Sequence, residues 1–130
     1  MIQDTSFIID VLNGDEGALA RLDAIEAERR PEKVSAITVL ELYEGIVQTD
    51  RPEDEQEAVL GVLDSKTILA ADAGIMRRAG RLSGELIANG EQIDREDCII
   101  AATALSEGEA VVTRNEGHFE RIPRLDVVSY

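Results

Sequence analysis

A parallel α/β/α sandwich in one domain, residues 1–130, is the fold class this sequence predicts. Short apolar runs alternate with longer amphipathic segments along the whole chain. Aromatic residues make up only 3% of the chain and Trp is absent, so the core must be Ile, Leu, Val and Ala packed between layers. With 130 residues, 44% of them apolar, one substantial core can be buried, and neither repeats nor a Pro/Gly/Ser linker divides the chain.

The elements follow in order. The apolar start at 1–3 reads as a strand, and helical periods follow at 6–13 and 15–29, several of the helical segments having Asp or Thr at an N-cap position. A second strand at 34–36 leads into helices at 38–49 and 52–63, with Pro31 and Pro52 as punctuation. A third strand at 67–70 precedes a helix at 72–89. There Ile75, Ala79, Leu82 and Leu86 fall on one face and Arg77, Arg78, Arg81 and Glu85 on another. The ordinary reading of that polar face is a solvated surface, with RNA contact as the alternative. A helix at 95–107 and strands at 110–113 and 127–128 complete the alternation, which implies a mostly parallel sheet.

Thirteen basic residues against 27 acidic ones give a net charge of −14, which repels polyanions over the surface as a whole, so a nucleic acid must be met locally. Eleven of the thirteen are Arg, a balance that keeps bidentate phosphate-binding forks and, with the acidity, suggests a high-salt cytoplasm. At about 1 M salt the Debye length falls to roughly 3 Å, so acidity does not exclude an RNA substrate. No stretch reaches the roughly 20 apolar residues of a membrane span, and MIQDTSFIID lacks the basic start and long apolar run of a signal peptide. A cytoplasmic, membrane-free protein is expected. One Cys and one His rule out a disulfide within the chain and a structural zinc cluster; Cys98, in CIIAATAL, reads as core.

Ligands of open parallel sheets bind beyond the carboxyl ends of the strands. Asp4 follows the first strand, Glu41 comes just after VSA, Asp97 opens the helix at 95–107, and Asn115 follows AVVT. Four oxygen-bearing groups from four connections could converge there as a carboxylate cage for a hard cation, Mg²⁺ or Mn²⁺, which needs no His or Cys. Each acid also has a local explanation: Thr38-x-x-Glu41 fits a capping box and Asp94-x-x-Asp97 an acidic variant of one.

Four blocks, DTSFIIDVL, ITVLELYEG, DCIIAATAL and VVTRNEGHFERIPRLDV, resemble in order the successive blocks of VapC-type PIN domains, over nearly the whole chain. The resemblance implies a metal-dependent ribonuclease acting as a toxin, with Asp4, Asp97 and Glu41 as its acids and Asn115 at the fourth position. Asp94 would be an additional acid, and Ser6 and Thr113 small hydroxyl residues supporting the site. It further implies Mg²⁺ or Mn²⁺ as cofactor, RNA as substrate, a cognate VapB-like antitoxin whose tail covers the acidic groove, and a homodimer. Arg114, Arg95 and Arg121 are candidate phosphate contacts. Where relatives often read Asn-x-x-Asp-Phe, this chain has Asn115-Glu116-Gly117-His118-Phe119, so His118 replaces an acid and Glu116 could supply the charge. A lone surface His is ordinarily incidental; the alternative is a phosphate contact or proton carrier. Two further readings are an RNA-processing or inactive PIN-like module, and a phosphoacceptor domain. The last expects paired acids after the first strand and a late Lys, neither of which stands in Asp4-Thr5-Ser6 or Thr113-Arg114-Asn115.

Overall fold

Twelve short elements follow one another in a computed structural model that describes residues 1–130. They are β1 (Ile2–Gln3), α1 (Thr5–Leu12), α2 (Glu16–Ala27), β2 (Lys33–Ser35), α3 (Ala36–Gln48), α4 (Pro52–Leu63), β3 (Thr67–Leu69), α5 (Ala73–Ala88), α6 (Arg95–Glu107), β4 (Val111–Val112), α7 (Glu116–Phe119) and β5 (Val127–Val128). The five strands form one sheet in the order β3-β2-β1-β4-β5, every pairing parallel.

Strand residues alternate between two cores, as the period of two requires. Ile2 and Val111 pack with Ala79, Leu86, Ile100 and Phe119 on the α5–α6 side. Val34 and Val112 pack with Phe7, Ile8, Leu42 and Val59 on the α1–α4 side. Both faces of β1, β2 and β4 are covered, which is why AVVT reads as an apolar run, whereas the edge strand β3 leaves Thr67 and Ile68 exposed. Cys98 is 1% exposed, as its apolar neighbourhood led one to expect.

The strand order reverses at β1: the chain steps outward to β2 and β3, then returns to place β4 on the other side. A switch point of this kind opens a crevice past the carboxyl ends of the two central strands. Asp4 leaves β1 there and Thr113 leaves β4 there.

Three local expectations are corrected. The helix expected from residue 38 starts at Ala36, because the Ser35 side chain accepts from the Ile37 N–H and turns the end of β2 directly into α3. Thr38 is therefore buried inside the helix and Glu41 is not part of a capping box. Asp94 is the N-cap of α6 but makes no side-chain capping bond, and α7 is an additional turn not anticipated from the pattern.

Candidate active site

Asp4 is the centre of the site. Its extended backbone ends β1, and its carboxylate caps α1 by accepting from the Phe7 N–H at 2.8 Å. The Ser6 hydroxyl stands 2.8 and 3.0 Å from the two carboxylate oxygens, and Thr113 at the end of β4 donates to Oδ2 at 2.5 Å. Asp4 is only 2% exposed, and burial raises its pKa from 3.8 to about 6; the charge of Asp97 adds to the rise, while the three hydrogen bonds oppose it. The structure thus gives Ser6 and Thr113 contacts to Asp4 itself. The same Thr113 hydroxyl accepts from the Asn115 N–H at 2.9 Å, and Ser6 accepts from the Arg114 N–H at 3.1 Å, which fixes the loop after β4 against the start of α1.

Glu41 projects from α3, half-buried, and the Thr5 hydroxyl donates to its Oε1 at 2.7 Å while standing 3.0 Å from that of Thr38. Its pKa is raised by burial first, then by Asp97, Glu96 and Asp4. Asp97, in the first turn of α6, is raised by burial and by Asp94 and Glu96, against a hydrogen bond from His118. Asp4, Glu41 and Asp97 therefore come within electrostatic reach of one another, whereas Asp94 is exposed and acts on Asp97 from one turn away. No group of three or more His, Cys, Asp or Glu side chains is gathered closely enough to hold a metal ion, so the cage expected from the sequence is not formed by these side chains alone. Their oxygen donors suit a hard divalent cation that retains waters and takes one or two carboxylates.

His118 Nδ1 is 3.4 Å from Asp97 Oδ2, which sets the imidazole beside this acid. Glu116 is exposed on the first turn of α7. Arg114 is engaged, donating to Asp10 Oδ1 at 2.6 Å with its side chain 56% exposed. Arg121 donates to the carbonyls of Glu91 and Gln92, which makes it a strap on the α5–α6 loop. Arg95 is exposed and lines a hollow with Asp94 and His118.

Sequence reasoning missed Thr5, Asp10 and Tyr130. Tyr130 donates to Asp10 Oδ2 at 2.5 Å and meets the Phe7 ring edge-on at 5.1 Å, so Asp10 is held between Tyr130 and Arg114. The only signal for Thr5 and Asp10 was their place in the DTSFIIDVL block.

A parallel α/β domain with buried acids at its topological switch point is the class that fold and site define. The PIN domain family model matches residues 1–125, and the chain belongs to that family. This sets aside the phosphoacceptor reading. Ribonuclease VapC2 of Haemophilus influenzae is 37% identical over 89 residues, 68% of this chain and 67% of that protein. A tRNA(fMet)-specific endonuclease VapC of Salmonella typhimurium is 33% identical over 94 residues, 72% of this chain and 71% of that one. Among solved structures, VapBC2 from Rickettsia felis bound to a DNA fragment from their promoter superposes with a TM-score of 0.89 at 25% identity, covering 99% of this chain and 97% of that one. No helix is long and apolar enough to cross a membrane.

Proposed function

We propose that this chain is a Mg²⁺- or Mn²⁺-dependent ribonuclease of the VapC type, the toxin of a toxin-antitoxin pair working in the cytoplasm. The observation that carries the reading is the Asp4 carboxylate, buried at the crevice beside Asp97 and Glu41. Burying like charges together disfavours the fold unless a cation returns the cost. Asp4 and Asp97 would hold that cation, with Glu41 and Asp94 at its margins; when bound, it supplies charge stabilisation for the phosphoryl oxygens.

The protein's own groups do the rest. Thr113, Ser6 and the Phe7 N–H fix the Asp4 carboxylate, so no reorganisation is needed when substrate arrives. Glu41, steered by Thr5, is the base that takes a proton from the attacking water, for which a raised carboxylate pKa is an asset. Asn115 offers a neutral amide to a phosphate oxygen, and His118 orients Asp97. By analogy with the relatives solved as VapBC assemblies, a VapB-like antitoxin covers this groove; a homodimeric toxin is part of the same proposal.

The test is cleavage of a mixed RNA pool by purified protein at low and high salt, with Mg²⁺ or Mn²⁺ against EDTA. Metal-dependent cleavage is expected; intact RNA in every condition, from folded protein, would support an inactive interaction module instead. Thr113→Val separates positioning from folding. It deprives Asp4 of the Thr113 hydrogen bond, so the pKa of Asp4 rises further, and activity at neutral pH falls about 10- to 100-fold. The acid limb of the kcat/KM profile moves to higher pH; an unchanged profile would deny Thr113 this role.

A further inference from the structure

The arginine face of α5, set aside as solvated surface by its sequence alone, gains a partner from another element in the fold. Arg78 and Arg81 line one hollow, about 230 Å³, together with Arg124 from the loop before β5, and they line a second with Arg77. All four are exposed. Arg124 holds the left-handed backbone conformation, φ 66°, at a cost of roughly 1 kcal/mol for a side chain of this handedness.

The chain carries 27 acidic residues, and four of the cations elsewhere on it, Arg30, Lys33, Lys66 and Arg114, form ion pairs with them. None of the four arginines does. Arg78 donates only to the Ser106 hydroxyl at 3.2 Å. Two acids line the same hollows without forming an ion pair to them: Asp72 caps α5 through the Ile75 N–H, and Glu85 lies beside Arg78, Arg81 and Arg124. In a molecule of net charge −14, four unpaired guanidiniums on two elements form a local positive surface in an otherwise repelling field.

We infer that this surface binds the phosphate backbone of RNA at a distance from the cleavage site, an inference that rests on the ribonuclease reading above. Asp97 and Ser106 lie on the same helix, α6, and at 1.5 Å per residue they are about 13 Å apart. Even a stacked strand advances about 3.4 Å per nucleotide, so a strand engaged at the acids covers that distance in about four steps: a long RNA gains affinity from the arginines and a dinucleotide does not. Guanidinium forks suit phosphate better than ammonium groups would.

The experiment compares Arg78→Ala/Arg81→Ala/Arg124→Ala with a control of equal charge loss, Arg29→Ala/Arg30→Ala/Arg51→Ala. The readout is fluorescence anisotropy with oligouridylates of about 20 and about 2 nucleotides, in EDTA so that none is cut. Because the replaced side chains are exposed, both variants should melt as the wild type does. The patch variant should lose at least about tenfold in affinity for the long strand at about 0.1 M salt, and its log–log salt slope should become shallower by about 2. The control and the short strand should be unaffected. Equal losses in both variants would reduce the effect to net charge and overturn the inference. So would unchanged RNA binding with lost binding of an oligoglutamate of about 20 residues, which would assign the face to an acidic protein segment. Failure of the ribonuclease reading shows separately, as absence of cleavage when metal is restored.

Discussion

Asp97→Asn folds like the wild type and loses at least about a hundredfold of the RNA cleavage rate, since several kcal/mol of charge stabilisation at about 1.4 kcal/mol per decade rests on the site it helps to form. Asp97 is half-buried in the first turn of α6, and burial with the charges of Asp94 and Glu96 raises its pKa. Replacing a strained carboxylate by its neutral isostere therefore costs the fold little. It also removes the anion that His118 faces at 3.4 Å. The comparison is a single-turnover rate at saturating protein with thermal melts alongside. A loss below about fivefold would remove Asp97 from the machinery.

Asp4→Asn gives the second large effect, in stability and with the opposite sign. In metal-free protein the folded state holds the Asp4 proton up to a pH of about 6, while the unfolded chain releases it near 3.8. Folded protein thus binds more protons between these values, and stability falls as pH rises through that window, then levels off. The difference corresponds to roughly 3 kcal/mol at 1.36 kcal/mol per unit. Asn cannot titrate, so the stability of the variant relative to wild type should grow by about that amount from pH 4 to pH 7 in EDTA, and shrink when Mg²⁺ is added. Cleavage should be lost at the same time. Urea denaturation of both proteins across pH measures it; a pH-independent difference would mean that Asp4 is not held in the buried, proton-retaining state described here.

Much of this architecture was legible because parallel strands covered on both faces leave short runs such as AVVT, and because the amphipathic period of α5 is long and regular. Asp4 was legible for a related reason: an acid immediately after a first strand has few other places to go. The helix start was not. Ser35 and Thr38 are both competent caps, and the choice was made by the end of β2, where Ser35 is fully buried and its hydroxyl meets the Ile37 N–H. Periodicity also carries no information about partners far apart in sequence. Tyr130 on Asp10, Thr113 on Asp4 and Arg121 on the α5–α6 carbonyls are products of the sheet order, so Arg114 and Arg121 could be picked out as cations but not recognised as already engaged. His118 looked incidental because nothing local shows that α7 turns it toward Asp97.

Joint action of Asp4, Asp97 and Glu41 on a divalent cation is read out by calorimetric titration with Mn²⁺ in buffers of differing ionisation enthalpy, at about pH 6 and about pH 8. Binding should release about half a proton at the lower pH, where Asp4 is half protonated, and almost none at the higher, and it should be lost in Asp4→Asn. Binding of equal strength in wild type and Asp4→Asn, with no proton released at either pH, would place the cation elsewhere and contradict the claim.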